Sequence, residues 1–203
     1  MLKRGIIVSI QGYHHKTVAE LAAEAIRAGA VGLRVDKPIH LPEGVERVPI
    51  IGLNKNHVAK PSEEPYVTAT VEQVQQVASW ADLVAVDYRN CNPTREQLAA
   101  YCKEHQIKVV ADIGTMEDYE GMKDLYWTYV ATTLSVFHKN HRPDLALIET
   151  LRKCGEKNII AEGNYTTRVD VQRVLKNGAW CVCIGSAISN VYKLTRKFTT
   201  VEY

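Results

Sequence analysis

Eight short apolar runs, rich in Val, Ile and Leu, recur from one end of the chain to the other. They span residues 5–11, 30–36, 48–55, 83–88, 108–114, 129–135, 158–164 and 180–186. Runs that are apolar almost without interruption are the mark of strands covered on both faces, as in a parallel sheet under helices. Helical spacing fills most of the gaps. Residues 17–28 place Val18, Leu21, Ala22, Ala25 and Ile26 on one helical face. Further helices are predicted over 70–81, 94–106, 115–125, 144–153 and 168–175, with a last one starting near Ala187. Thr70 with Gln73, and Thr94 with Gln97, have the spacing of reciprocal N-terminal caps. Asn177-Gly178 supplies a helix stop.

Eight is the number that closes a parallel barrel. The fold expected is therefore an α/β (β/α)8 TIM barrel, one domain over residues 1–203. The length allows about 25 residues per unit: a short strand, a three-turn helix and two tight loops. The second unit is the lean one. Residues 37–47 (KPIHLPEGVER) carry two prolines and a glycine, so its helix is short or missing. An open doubly wound sheet uses the same alternation, but no G-x-G-x-x-G follows the first strand.

Composition narrows the function. Lys and Arg number 25 against 23 Asp and Glu, a net charge of +2, too mild to imply nucleic acid or an anionic membrane. No apolar stretch reaches the roughly 18–20 residues of a membrane span, and the first residues lack the apolar run of a signal peptide. Five cysteines without a C-x-x-C pair (Cys91, Cys102, Cys154, Cys181 and Cys183) read as reduced thiols of a cytoplasmic protein. Cys181 and Cys183 alternate on one strand and are expected in one packing layer. His14-His15 and His138 with His141 lack metal-ligand spacing on a rigid element, so no metal is expected. Trp80, Trp127 and Trp180 read as packing residues. A homodimer is the default expectation, because symmetric dimers are the commonest soluble oligomers.

In barrels of this kind the active site lies at the C-terminal ends of the strands. Those ends are Gln11, Arg34, Lys55, Asp87, Asp112, Thr132-Thr133, Glu162 and Gly185-Ser186. Burial at the end of an apolar strand and a neighbouring cation such as Arg34 both favour a neutral amine at Lys55, and a neutral amine is a base. Glu162 is a second ionisable group at the mouth; the alternative is that Lys55 and Glu162 form a structural ion pair. Gly185-Ser186 before a helix offers free backbone N–H groups to an anion, and Gly163 allows another close backbone approach.

Read in order, the strand ends resemble a known family. The stretches are GIIVSIQ (5–11), GAVGLR (29–34), PIIGLNK (49–55), YVTAT (66–70), ADIGT (111–115), TTLS (132–135), IAEGN (160–164), GSAI (185–188) and LTRKF (194–198). Together they resemble the N-acetylmannosamine-6-phosphate 2-epimerases. The resemblance implies a (β/α)8 barrel that interconverts the 6-phosphates of N-acetylmannosamine and N-acetylglucosamine without a cofactor. It implies Lys55 and Glu162 as catalytic groups, and Gln11, Arg34, Asp112 and Thr133 as substrate-binding groups. It implies Gly163, Gly185 and Ser186 as phosphate-binding turns. The chain departs from the family pattern in a short loop after Gln11, in Asn56-His57-Val58 after the lysine, and in Asp87-Tyr88-Arg89-Asn90-Cys91-Asn92-Pro93. The arginine usual after G-S-A-I-T is also absent, and Ser189-Asn190 follow Ile188 instead. These departures imply a shortened, divergent member. Another phosphosugar isomerase or aldolase, or a barrel that binds a sugar phosphate without turnover, stands as the alternative.

Overall fold

The computed structural model describes residues 1–56, 60, 63–138 and 142–199, the Phe198 side chain excepted. His57, Val58 and His141, singled out above, lie outside the described residues. The strands are β1 (Gly5–Ile10), β2 (Gly32–Val35), β3 (Ile50–Gly52), β4 (Leu83–Asp87), β5 (Val109–Asp112), β6 (Tyr129–Ala131), β7 (Ile159–Glu162) and β8 (Cys181–Ile184). Each pairs in parallel with the next, and β8 pairs with β1 to close the ring. The helices are α1 (His15–Arg27), α2 (Val71–Ala78), α3 (Arg95–Glu104), α4 (Met116–Met122), α5 (Leu145–Lys153), α6 (Arg168–Lys176), α7 (Ser186–Ser189) and α8 (Val191–Thr199). This is the (β/α)8 barrel that the eight apolar runs predict.

The two-residue period of a strand divides the core. All of β4 is buried. Leu83 and Ala85 enter the barrel interior, whereas Val84 and Val86 pack outward with Val74 and Val77 of α2 and Leu98 of α3. The same alternation sends Ile7, Val110, Ile160, Cys181 and Cys183 inward. Two residues further along their strands, Ser9, Asp112 and Glu162 share that inward parity. So does Arg34, between the outward-facing Leu33 and Val35. The polar groups at the barrel top therefore continue the inner layers of the core.

No helix joins β2 to β3. Residues 36–49 run without one, and Ile39, Leu41 and Val48 cover Val8, Leu33 and Val35 in its place. Of the two expected caps, Thr70 accepts from the Gln73 N–H (3.3 Å), but the Gln73 side chain takes the Ala69 N–H (2.6 Å) rather than that of Thr70. Thr94 is not extended (φ −103°, ψ 2°), so its hydroxyl turns away to the Ala69 carbonyl (2.8 Å). The complete reciprocal cap is Thr115 with Asp118. Gly178, at φ +103°, ends α6 as the Asn-Gly pair predicts.

Every strand is shorter than its apolar run, β3 and β6 the most. β6 ends at Ala131, and Thr133–Phe137 forms a 3-10 turn instead of more strand. β3 ends at Gly52, leaving Lys55 beyond it in an antiparallel bridge to Val67. Asn56 N–H donates to the Tyr66 carbonyl (2.9 Å) and Thr68 N–H to that of Asn54 (2.8 Å). A small ribbon thus stands on the barrel mouth. Among the described residues no helix is long and apolar enough to cross a membrane.

Gly52 lets α2 and the turn after it pack directly on β3. A Cβ there would lie 2.6 Å from both Ala81 Cβ and Val77 Cγ1, and 2.7 Å from Trp80 Cη2. Gly52→Ala should destabilise the fold by about 1–3 kcal/mol, read as a lower urea midpoint with an unchanged slope.

Candidate active site

Arg34 organises the mouth of the barrel. Its guanidinium is 1% exposed and grips Asp112, 0% exposed, with two bonds: Nη1 to Oδ1 at 3.1 Å and Nη2 to Oδ2 at 2.5 Å. Glu162 Oε2 lies 3.4 Å from the same Nη1. One cation thus serves two carboxylates. Burial alone would lower the Arg34 guanidinium, but Asp112 and Glu162 outweigh it and hold the group above its ordinary value. Burial lifts Asp112 to about 6; Arg34 opposes the rise, and the Glu162 charge adds to it.

Thr133 ties the carboxylates together. Its hydroxyl lies 2.8 Å from Asp112 Oδ1 and 3.1 Å from Glu162 Oε2, and its single proton goes to one of them at a time. The Cys183 thiol, pushed well up by burial and then by Glu162, stays protonated and bonds the Glu162 side chain. Thr132 fixes the glutamate's backbone, its hydroxyl bonding both the Glu162 carbonyl (3.0 Å) and N–H (3.1 Å). These threonines stand just past β6, and the early end of that strand frees them for this work.

Lys55 faces the cluster from the ribbon beyond β3. It is half-buried. Its Nζ donates to Gln11 Oε1 at 3.3 Å, while Gln11 Nε2 donates to Ser9 Oγ at 2.8 Å. The ring of Tyr66 lies 5.1 Å from Nζ. Lys55 is partly and not fully buried, because β3 ends three residues before it, and it borders the same cavity as Arg34. Among the described residues no Lys55–Glu162 ion pair forms; Glu162 is held by Arg34, Thr133 and Cys183 instead.

Eight of the nine expected site residues border one cavity of about 310 Å³: Gln11, Arg34, Lys55, Thr133, Glu162, Gly163, Gly185 and Ser186. That volume is at the small end of ligand pockets, about 300–1,000 Å³. The ninth, Asp112, lies below the floor and reaches the cavity only through Arg34 and Thr133. Gly163 must be glycine: its φ is +114°, and a Cβ would sit 2.7 Å from Val136 Cγ1. Asn164, at φ +58°, completes the turn, and its buried Nδ2 has no hydrogen-bond partner among the described residues. Gly185 caps α7, whose first N–H groups have no intrahelical acceptor. Among the described residues no group of three His, Cys, Asp or Glu side chains gathers as a metal site.

Residues 18–202 match the model of the family described as "Putative N-acetylmannosamine-6-phosphate epimerase". The chain belongs to this family. An Escherichia coli protein named "Putative N-acetylmannosamine-6-phosphate 2-epimerase" is 33% identical over 212 residues, covering 97% of this chain and 91% of its own. A namesake from Caldanaerobacter subterraneus is 32% identical over 218 residues, 98% and 91% of the two chains. The solved N-acetylmannosamine-6-phosphate 2-epimerase from Clostridium perfringens superposes with a TM-score of 0.85 at 25% identity, covering 98% of this chain and 93% of that one. A 2-epimerase is an isomerase, and this member of the epimerase family is an enzyme of that class.

Sequence reasoning missed Tyr66, Phe137 and Asn164, which border the same cavity. Tyr66 and Asn164 sit in irregular backbone and Phe137 ends a 3-10 turn, so none shows a period. The signals present were the YVTAT and IAEGN stretches, which include Tyr66 and Asn164, and the Gly-Asn pair at 163–164, a dipeptide suited to left-handed backbone.

Asp112 has a folded pKa above its unfolded value, the reverse of the usual carboxylate. Its contribution to stability is therefore complete below about pH 4 and is lost as pH rises through about 6. A carboxyl carbon resonance that titrates near 6 and vanishes in Asp112→Asn is expected by NMR. Asp112→Asn should also flatten the fall in stability between pH 4 and pH 6.

Proposed function

We propose that the chain inverts C2 of an N-acylated aminosugar 6-phosphate, converting N-acetylmannosamine 6-phosphate to N-acetylglucosamine 6-phosphate, with protons carried by Lys55 and Glu162 and no cofactor. The observation that carries this reading is that an amine and a carboxyl group border one cavity, each held by its own partners and neither neutralised by the other. The amine is carried past the end of β3 and the carboxyl stands at the end of β7, and both border the same cavity. Inversion needs two such groups: a proton leaves one face of the carbon and another arrives on the opposite face.

In the open-chain sugar, C2–H is α to the C1 aldehyde and can be removed by a base. Lys55 takes this proton, and the electrons of the C–H bond pass to the aldehyde oxygen as an enolate. Arg34 and Gln11 are the donors suited to that charge. Glu162 in its acid form delivers its proton to C2 from the other side. In the reverse direction the two groups exchange roles. Thr133 links Glu162 to Asp112, which gives the glutamate a neighbour from which to recover a proton.

The phosphate is assigned to Gly163, Gly185 and Ser186. Ser186 and Ala187 of α7 and the Gly163-Asn164 turn border the same cavity, and the first amides of α7 supply donors without an arginine. The assignment extends to one barrel domain over residues 1–203, working in the cytoplasm as a homodimer. Exposed Ile188, Val191 and Tyr192 on α7 and α8 offer apolar surface for such a contact, and sedimentation velocity reads the state.

The deciding experiment follows N-acetylmannosamine 6-phosphate in deuterium oxide. The product should carry deuterium at C2 while recovered substrate stays protiated early in the reaction, as two proton carriers require. Lys55→Ala should lower kcat by about 10³-fold and Glu162→Gln by about 10²-fold. An active Lys55→Ala enzyme would remove the mechanism.

A further inference from the structure

Lys55 has a long side chain with many rotamers, and it is carried by a ribbon and not by a strand. Something must set its direction. We propose that Tyr66 is the positioning residue for Lys55: its ring face fixes where the amine points, and a buried Asp87–Arg89 pair outside the cavity fixes the backbone that carries the ring. This inference rests on the assignment of Lys55 as a proton carrier.

The contacts are specific. Lys55 Nζ stands 5.1 Å from the Tyr66 ring centroid, within the range of a cation over an aromatic face. The edge-to-face contact of Tyr66 with Phe137, 5.7 Å between centroids at 87°, keeps the ring from turning. The Tyr66 hydroxyl has no hydrogen bond among the described residues, so the ring is the working part. Beneath it, the Tyr66 N–H donates to Asp87 Oδ2 at 2.8 Å, and the Asp87 N–H donates to the Val67 carbonyl at 2.9 Å. Arg89 holds the same carboxylate in a fork, Nε to Oδ1 at 2.9 Å and Nη2 to Oδ2 at 2.6 Å, and also donates to the Glu64 carbonyl at 2.8 Å. The Glu64 carbonyl is thus held by the Arg89 side chain and the Val67 carbonyl by the Asp87 main chain, one on each side of Tyr66. Asp87 is 0% and Arg89 2% exposed, and neither borders the cavity. A buried pair of this kind gives little net stability and serves to select one conformation.

A residue that aims a base acts on the chemical step and leaves substrate affinity alone. Tyr66→Leu should therefore lower kcat about tenfold with KM changed by less than about twofold. Tyr66→Phe, which keeps the ring, should recover most of that loss. If Tyr66→Leu melts below the assay temperature, Tyr66→Met under the same comparison decides. Wild-type kcat in the ring-less variant, a loss confined to KM, or a Phe variant as slow as the Leu one would each overturn the proposal. Failure of the underlying assignment looks different: Lys55→Ala would then keep its activity whatever stands at position 66.

Discussion

A guanidinium almost wholly buried inside a barrel has to be neutralised where it stands, because little water is left to solvate it. Arg34 points inward from β2 by the parity of its strand, and Asp112 meets it from β5 across the interior. Much of the mouth follows from this contact. Two carboxylates against one cation leave an excess negative charge, which is one reason Asp112 titrates so high. Thr133 is held between the acids, and Glu162 is held at the cavity edge instead of swinging toward Lys55. Replacing Arg34 alone would leave two carboxylates facing each other in a dry site, a far larger loss than one hydrogen bond.

The other half of the site has the opposite construction. Glu162, at the end of β7, is fixed by Arg34 on β2 and by Thr132 and Thr133 just past β6. Lys55 is fixed by surfaces: an amide oxygen, a ring face and a ribbon of paired backbone. This suits a reaction in which one group must enter and leave contact with a sugar carbon while its counterpart keeps a defined proton connection.

Much of this was legible in the residues. The eight apolar runs, read as strands covered on both sides, give the barrel, and the two-residue period then puts Ser9, Arg34, Asp112 and Glu162 in one inward layer. The ends of elements were less legible. Apolar residues continue past the last hydrogen-bonded pair, so 129–135 reads as strand although the chain turns at Thr132. Thr94 has the right spacing for a cap but the wrong backbone angles, and spacing carries no angles. Lys55 is marked by its place after an apolar run, but the ribbon that carries it is not. The partner of its ribbon comes from residues 66–68, whose pairing leaves no periodic trace.

The stretch between β2 and β3 has a further consequence. Elsewhere a helix lies over the outer face of the sheet; here three apolar side chains on irregular backbone do that work. This is the thinnest wall of the barrel, and local opening of a fold begins where fewest buried contacts resist it. The two strands on either side of that seam carry Arg34 and lead to Lys55. A fluctuation too small to unfold the chain would alter the spacing between Arg34 and Lys55. The shortest unit of the barrel therefore adjoins both the buried cation and the ribbon that carries the amine.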